Sequence, residues 1–151
     1  MKENKIIVHA IIKYKDKYLV TKRSNKETVY KNYWDIPGGL ANKEELPKDA
    51  LVREVKEETN LDIIPGQIIH EDSNFDKKKD MIFIRLVYLV TLKSDIDKIK
   101  LDEKEHSEYK LIEDISELKN QKLVPFLKDL FTNKWLYNII KLIYMEDLWN
   151  F

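Results

Sequence analysis

Residues 39–61 read GLANKEELPKDALVREVKEETNL, and the interpretation of the whole chain depends on this stretch. Pro47 suits the first turn of a helix, and Asn60 suits the left-handed position that closes one. The stretch therefore predicts a loop followed by a helix from Pro47 to about Thr59. The second half of this helix is dense in glutamate, which needs a physical explanation because like charges at this spacing repel.

The predicted helix carries three glutamates on one face. At about 100° per residue, Glu57 and Glu58 lie within about 60° of Glu54, which itself lies between Ala50 and Leu51 of the apolar stripe. A solvated charged face would lie opposite that stripe, so these carboxylates are expected to point towards the body of the protein. Clustered carboxylates in such a place need a cation to offset desolvation and repulsion. The alternative interpretation is a helix with surplus surface glutamates.

The proposed ligands point to one kind of ion and one kind of chemistry. Ligands that are all oxygen favour a hard cation, most simply Mg²⁺, with Mn²⁺ as an alternative. Carboxylates on a rigid helix beside the glycine turn Gly38–Gly39 suggest metal-assisted hydrolysis of a phosphate compound. Arg53 lies one turn before Glu57 and is close enough to pair with it.

Composition restricts the class of protein. The 151 residues are 43% hydrophobic and 36% charged, as in a soluble globular domain. The formal net charge is zero, so no global field attracts a nucleic acid polymer or an anionic membrane. Cysteine is absent, which excludes disulfides and thiolate metal sites. No targeting segment is recognised, and a cytoplasmic location is expected.

The remaining pattern predicts strands around one central helix, in mixed α/β layers. Strands are predicted at Ile6–Ile12, Tyr18–Val20, Trp34–Ile36, Ile63–Glu71, Met81–Leu92 and Tyr109–Ile112. Further helices are predicted at Leu123–Phe131 and Trp135–Leu148, with a helical turn at Ile115–Leu118. The last helix is apolar around most of its surface, so we expect it to pack on the sheet. A dimer contact is the second interpretation and a membrane-surface role the third.

The acidic helix and the loop before it resemble the Nudix box. That motif runs glycine, five residues, glutamate, seven residues, then Arg-Glu-aliphatic-x-Glu-Glu-x-Gly-aliphatic. The positions that match are Gly39, Glu45, Arg53, Glu54, Val55, Glu57, Glu58 and Leu61. The lead-in Trp34–Gly39 and the later stretch Glu105–Tyr109 also look like the family, and the resemblance covers about residues 5–131. Three positions depart from the pattern: Asn60 replaces glycine, Leu46 replaces a capping Ser or Thr, and Glu44 replaces a common glycine.

The resemblance implies an α/β Nudix fold, a mixed β-sheet sandwiched between α-helices, with a C-terminal helical extension. It implies one domain over residues 1–151, with a core of about 5–131 and a C-terminal helix at 132–151. The implied activity is Mg²⁺-dependent hydrolysis of a diphosphate linkage in a nucleoside diphosphate derivative, first of all a nucleoside triphosphate, as in MutT-like enzymes. An ADP-ribose or nucleotide-sugar pyrophosphatase and a non-catalytic nucleotide-sensing module are the alternatives. A monomer and a homodimer are both compatible with the sequence.

The resemblance also assigns roles within the box. Glu54, Glu57 and Glu58, helped by the carbonyl of Gly39, are implied to bind the metal. Glu45 and Arg53 are implied to hold loop and helix together through a salt bridge, with Gly38 in a structural role; these assignments follow the family motif. The general base is either one of the helix glutamates or, as second choice, Glu105, for which a solvated loop acid is the alternative.

Other candidate residues lie outside the box. Arg23 follows an early strand and is expected to meet phosphate, or else to be an exposed residue. Three aromatic residues, Trp34, Tyr33 and Phe75, are candidates for stacking on a base, although core packing is the commoner role of such residues. His9 is interpreted as a satisfied core histidine, and His106 as a bystander in a loop.

Overall fold

The computed structural model describes residues 3–146 of the chain. Within these residues the chain is a mixed α/β structure, as predicted. The strands are β1 (Lys5–Tyr14), β2 (Lys17–Arg23), β3 (Trp34–Asp35), β4 (Gly38–Leu40), β5 (Ile63–Asp76), β6 (Met81–Leu92) and β7 (His106–Ile112). The helices are α1 (Pro47–Thr59), α2 (Pro125–Thr132) and α3 (Lys134–Glu146), with short 3-10 turns at Ile96–Lys98 and Ile115–Leu118.

The sheet is mixed, and β1 lies at its centre. The strand order is β3-β2-β1-β6-β5, with β4 added to β1 and β7 added to β2. β1 runs parallel to β6 from the Lys5–Phe83 pair to the Ile12–Val90 pair, and antiparallel to β2 and β4. The paired strands β4, β1, β6 and β5 therefore lie side by side, which matters for the site described below.

Helices cover both faces of this sheet. Val8, Ala10 and Ile12 of β1 pack with α1 in one apolar cluster, whereas Ile11 belongs to a second cluster with α2 and α3. Successive side chains on a strand point to opposite faces, so a strand buried on both sides is apolar along its whole length. This explains the nearly continuous apolar run of β1 and confirms the predicted sandwich.

The helix α3 packs on the sheet, as expected from its apolar surface. Ile140 is 2% exposed, and the Tyr144 hydroxyl donates to the carbonyls of Ile11 and Val90 at 3.1 and 3.3 Å. Leu142 and Met145 remain exposed on the outer side. The predicted helix end at 148 lies outside the described residues. Among the described helices, none has the length and apolar character needed to cross a membrane.

Four strands, β1, β2, β5 and β7, are longer than the sequence predicted, and Gly38 and Gly39, predicted as a turn, form β4 because they pair with β1. β5 continues to Asp76, beyond the predicted end at Glu71, because it stays paired with β6 as far as the Asp76–Met81 pair. β7 begins at His106, three residues before the predicted start at Tyr109, because the end of β2 pairs with it there. The extensions of β5 and β7 are polar segments that become strands through tertiary pairing and not through their own β propensity.

The ends of α1 agree with the sequence. Asn60 adopts φ 63°, in the left-handed region, and its N–H donates to the Lys56 carbonyl. Leu46 occupies the N-cap position without a side-chain hydrogen bond to the helix. Glu44, which replaces the common glycine, has φ 64° and therefore a conformation that a non-glycine residue adopts at some cost.

We expect Leu46→Ser to stabilise the protein. Leu46 is 67% exposed, so its removal loses little apolar burial, and a serine hydroxyl can accept a hydrogen bond from the first turn of α1. The gain in the free energy of unfolding should be about 1 kcal/mol. Urea denaturation would measure it, with Leu46→Ala as the control that removes the same side chain without adding a cap. Equal stabilities of the serine and alanine variants would contradict the capping argument.

Candidate functional site

Arg53 on α1 ties the helix to the loop before it. Its guanidinium binds both carboxylate oxygens of Glu45 at 2.8 Å and donates to the Leu40 carbonyl at 3.1 Å. Its Nη1 also reaches Glu54 at 3.0 Å and Glu57 at 3.1 Å. The expected contacts of Arg53 with Glu45 and with Glu57 are both present. A bidentate pair fixes orientation as well as distance, so Arg53 holds the carboxylates beside it in defined positions.

Glu58 is the most deeply buried of the three α1 glutamates. Its side chain is 5% exposed, against 12% for Glu54 and 57% for Glu57. The helical angles predicted that all three carboxylates point towards the body of the protein, and this expectation is wrong for the exposed Glu57. The last turn of α1 is covered from two sides. The Asp102 N–H donates to the Glu58 carbonyl, and the Gly38 N–H donates to the Oε2 atom of the Glu58 side chain at 3.1 Å.

Glu105 joins this acidic group from the loop before β7. One ligand atom from each of Glu58, Glu105 and His106 lies within 4.8 Å of the other two. The loop is anchored, since Ser24 N–H donates to the Glu105 carbonyl at 2.8 Å and the Ser24 hydroxyl donates to the Lys104 carbonyl at 2.7 Å. Glu105 is thus half-buried at the site, which disagrees with its alternative interpretation as a solvated loop acid.

The donor set fits a divalent cation. Burial raises the pKa of Glu54 and raises the pKa of Glu58 well above its usual range, and the nearby carboxylate of Glu105 adds to both effects. The Oε1 atom of Glu58 accepts no hydrogen bond from the described residues, whereas Oε2 has two neighbours. A hard cation among these oxygens would relieve the repulsion and would find carboxylate ligands of the type it prefers.

Gly39 allows β4 to lie close to the carboxylate of Glu54. A Cβ atom at Gly39 would lie 2.5 Å from the Glu54 Oε2 atom. The strand therefore approaches the carboxylate more closely than a side chain would allow. This contact explains why glycine is required at the position that the resemblance associates with metal binding.

A cleft of about 520 Å³, a volume that suits a small-molecule ligand, is lined by Gly38 and Gly39 but by none of the four acidic residues Glu54, Glu57, Glu58 and Glu105. Its floor follows the strand order β4, β1, β6 and β5, and alternate residues of β1, β6 and β5 face it. Gly38 and Gly39 lie at the end next to the acids, and Asp72 and Asn74 lie on β5. The floor between them is formed by Ile7, His9, Phe83 and Arg85.

A fixed charged pair lies on the β6–β5 side of the cleft. Arg85 donates to Asp72 at 2.7 Å, and its guanidinium stacks over the Phe126 ring at 4.2 Å from the centroid. The second Asp72 oxygen is 2.9 Å from His70 Nε2. Arg85 Nε is buried without a partner among the described residues. This pair offers donors and acceptors to a polar ligand while the ring beneath it stays apolar.

Arg23 lines the cleft, as its predicted contact with phosphate requires. Its donors are already engaged, however: Nη1 contacts Asp35 at 3.3 Å, Nη2 contacts Glu27 at 3.3 Å, and Nε donates to the Val29 carbonyl at 3.0 Å. Asp35 is buried, and this burial raises its pKa. The phosphate role of Arg23 stays a prediction, and its visible role is to hold Asp35.

The aromatic candidates for base stacking need correction. Trp34 is 1% exposed in the core cluster, so its ring has no face available to a ligand. Tyr33 packs partly buried against the same cluster. Phe75 is 55% exposed but does not line the cleft, because its neighbour Asn74 faces the cleft and adjacent strand residues point to opposite sides. Phe83 lies on the cleft floor, and Tyr30 and Phe126 also line the cleft.

Both histidine interpretations also change. His9 is buried, as expected, but its Nδ1 has no partner among residues 3–146, so it is not a satisfied core histidine. Burial, followed by Arg85 and Arg23, lowers its pKa to about 3. His106 is not a loop bystander: it begins β7, is 4% exposed, and its Nε2 lies 3.0 Å from Glu58 Oε2. Burial lowers the pKa of His106 as well.

The Glu45–Arg53 pair gives a pH-dependent contribution to stability. Hydrogen bonds from Arg53 lower the pKa of Glu45 from 4.5 to about 2. A carboxylate with a depressed pKa stabilises the folded state above its unfolded value, and this contribution is lost as the pH falls from about 4.5 to about 2. Glu45→Gln should therefore unfold at lower urea concentration than the wild type at pH 7. The difference should shrink as the pH falls through that window, and a constant difference would refute this assignment.

Comparison with known proteins agrees with this architecture. The sequence model of the NUDIX domain matches residues 4–133. A MutT protein from Methanosarcina mazei Go1 is 29% identical, with a TM-score of 0.72 over 87% of this chain and 92% of that one. A MutT NUDIX hydrolase from Burkholderia pseudomallei is 17% identical, with a TM-score of 0.71 over 88% and 99%. An ADP-ribose pyrophosphatase from Streptococcus suis 89-1591 is 23% identical, with a TM-score of 0.55 over 73% and 74%. A search of curated proteins finds no match.

The fold, the acidic group on α1 and the family match define one class of enzyme, the hydrolases that cleave a diphosphate linkage in small nucleotide derivatives. The chain belongs to the Nudix family. It is a MutT-like Nudix hydrolase, and hydrolases of this family generally use a divalent metal. Within the described chain, the carboxylates of Glu58 and Glu105 lie together, with His106 beside them, and form a candidate place for such an ion.

Proposed function

We propose that this enzyme hydrolyses nucleoside triphosphates with Mg²⁺ and releases pyrophosphate. The observation that carries the proposal is the course of the cleft, from Gly39 on β4 to Asp72 on β5. Three strand spacings separate these strands, or about 14 Å. In this proposal, a ligand that contacts both places has its phosphates near Gly39, and its sugar and base extend across β1 and β6.

The roles of the acidic residues follow from their contacts. Glu54, Glu57 and Glu58, with the Gly39 carbonyl, would hold the cation. When bound, a divalent cation neutralises phosphate charge and supplies a water activated for attack. Arg53 contacts Glu54 and Glu57 and keeps both carboxylates on one side of α1.

The reaction needs one proton acceptor. The water oxygen forms a bond to phosphorus, the bridging P–O bond to the leaving pyrophosphate breaks, and the proton of the water passes to a carboxylate. Glu105 is favoured for this role, because Arg53 occupies Glu54 and Glu57, and because Gly38 and His106 occupy one oxygen of Glu58. A helix glutamate is the alternative base.

The choice of substrate class is supported by the comparisons. The 29% identical protein from Methanosarcina mazei is described as a MutT protein, which favours a triphosphate substrate. The ADP-ribose pyrophosphatase shares the fold over a smaller part of the chain, which keeps ADP-ribose as the second candidate. A sensing module without turnover is the third, and the intact glutamates Glu54, Glu57 and Glu58 count against it.

A hydrolysis screen tests the proposal. Standard and oxidised nucleoside triphosphates, ADP-ribose, nucleotide sugars, dinucleoside polyphosphates and NADH would be compared with Mg²⁺, and the products separated by chromatography. We expect the highest kcat/KM for a triphosphate, with nucleoside monophosphate and pyrophosphate as products. A higher kcat/KM for ADP-ribose would mean that the substrate class is ADP-ribose and not the nucleoside triphosphates. Binding of a nucleotide without turnover, detected as a rise in Tm, would favour the sensing module.

A further inference from the structure

His106 contacts the acidic group through one atom. Its Nε2 lies 3.0 Å from Glu58 Oε2, and the Gly38 N–H donates to the same oxygen at 3.1 Å. The two contacts come from different strands: His106 begins β7, and Gly38 begins β4. They leave Glu58 Oε1 without a hydrogen bond from residues 3–146.

The other ring nitrogen indicates how His106 is protonated. Nδ1 is buried and has no partner within the described part of the chain. A carboxylate oxygen accepts hydrogen bonds, so a hydrogen on Nδ1 would be left unpaired and would turn the lone pair of Nε2 towards Glu58, whereas a hydrogen on Nε2 forms a hydrogen bond. The favoured form therefore carries its single hydrogen on Nε2 and donates it to Glu58.

The backbone holds this ring in place. His106 pairs with Arg23 in the β2–β7 ladder, and its N–H donates to the Asp102 carbonyl at 2.9 Å. The Asp102 N–H in turn donates to the Glu58 carbonyl at 3.0 Å. Main chain and ring thus both connect β7 to the last turn of α1. A group placed on a strand is held more precisely than one placed on a free loop.

We propose that His106 is a positioning residue: with the Gly38 N–H it holds Glu58 Oε2, so that Oε1 is presented to a divalent cation next to Glu105. This inference rests on the proposed metal-dependent hydrolysis. A direct bond from His106 to the cation is disfavoured, because its Nε2–H is donated to Glu58 and because Mg²⁺ and Mn²⁺ prefer oxygen ligands.

Mn²⁺ binding without substrate tests the proposal, with free Mn²⁺ quantified by electron paramagnetic resonance. His106→Phe removes the donor and keeps a ring, and the Kd should rise by about 10- to 100-fold. His106→Gln keeps an N–H donor and should recover most of the affinity. His70→Gln, a histidine change on β5 next to Asp72, should leave the Kd unchanged. An unchanged Kd in both His106 variants would overturn the positioning role.

The wild-type protein supplies a second test that needs no variant. With histidine labelled by ¹⁵N, pulsed electron paramagnetic resonance of bound Mn²⁺ should show no coupling from a directly coordinated nitrogen. Such a coupling would make His106 a ligand and overturn the inference, while the proposed function would survive. If the wild-type protein binds no Mn²⁺, the proposed function and the inference both fall. The Tm of each variant separates weak binding from loss of fold.

Discussion

Glu57→Gln should lower kcat by about 10²- to 10³-fold, the usual loss when one charged group that stabilises a transition state is removed. The side chain of Glu57 is 57% exposed, so the change removes a charge without opening a cavity. Arg53 keeps its two contacts with Glu45 and its contact with Glu54, which should preserve the loop and the rest of the site. The expected effect is therefore on metal binding and catalysis and not on folding.

The control for this variant lies on the same helix. Asp49→Asn also removes one negative charge from α1, but Asp49 lies in the exposed first turn, away from the cleft. We expect its kcat to stay within about twofold of the wild type, with a small loss of stability from the weaker interaction with the helix dipole. Equal activity of the two variants would show that Glu57 is not a metal ligand. If Glu57→Gln is slow and Asp49→Asn is not, Mg²⁺ titrations of activity would distinguish a weaker metal site from a damaged catalytic step.

Much of the fold could be predicted from the sequence because local signals are strong there. Pro47 and Asn60 mark the ends of α1, and both positions are as expected in the structure. The middle of β1 and the second half of β6 are buried on both faces, so these apolar runs are recognisable without knowledge of their partners. The Arg53–Glu45 contact was available only from the family motif, since nothing local links two residues eight apart.

The parts that could not be predicted depend on tertiary pairing. His106 became part of a strand because β2 extends beside it, and no local propensity indicates this. Glu58 became the most buried acid because Gly38 and the loop before β7 cover the end of α1, whereas helical angles describe α1 alone. The Asp72–Arg85 pair lies in the part of β5 beyond Glu71, where the sequence predicted no strand, so the partner of Asp72 on β6 could not be assigned.

Gly38→Ala should cause the largest loss of stability. A Cβ atom at Gly38 would overlap the carbonyl oxygen of Val8 and lie 2.7 Å from His9 Cα. These are backbone atoms of the central strand β1, so the overlap can be relieved only if β4 separates from β1. Overpacking of this kind costs about 3 kcal/mol, and the Tm should fall by roughly 10 °C in a domain of this size. Calorimetry would measure the change, and an unaltered Tm would mean that β4 is loosely held.

Gly39→Ala is the contrasting variant, because a Cβ atom at Gly39 would meet the side chain of Glu54 and not the backbone of a strand. Its added Cβ would lie 2.5 Å from Glu54 Oε2, and that carboxylate can swing away at little cost to folding. The displaced carboxylate would lose its contact with Arg53 and its place beside the cation. We expect a Tm within a few degrees of the wild type and a fall in kcat of about 100-fold, as for a misplacement of about 1 Å. If Gly39→Ala were as unstable as Gly38→Ala, the close approach of β4 to Glu54 would serve the fold and not the site.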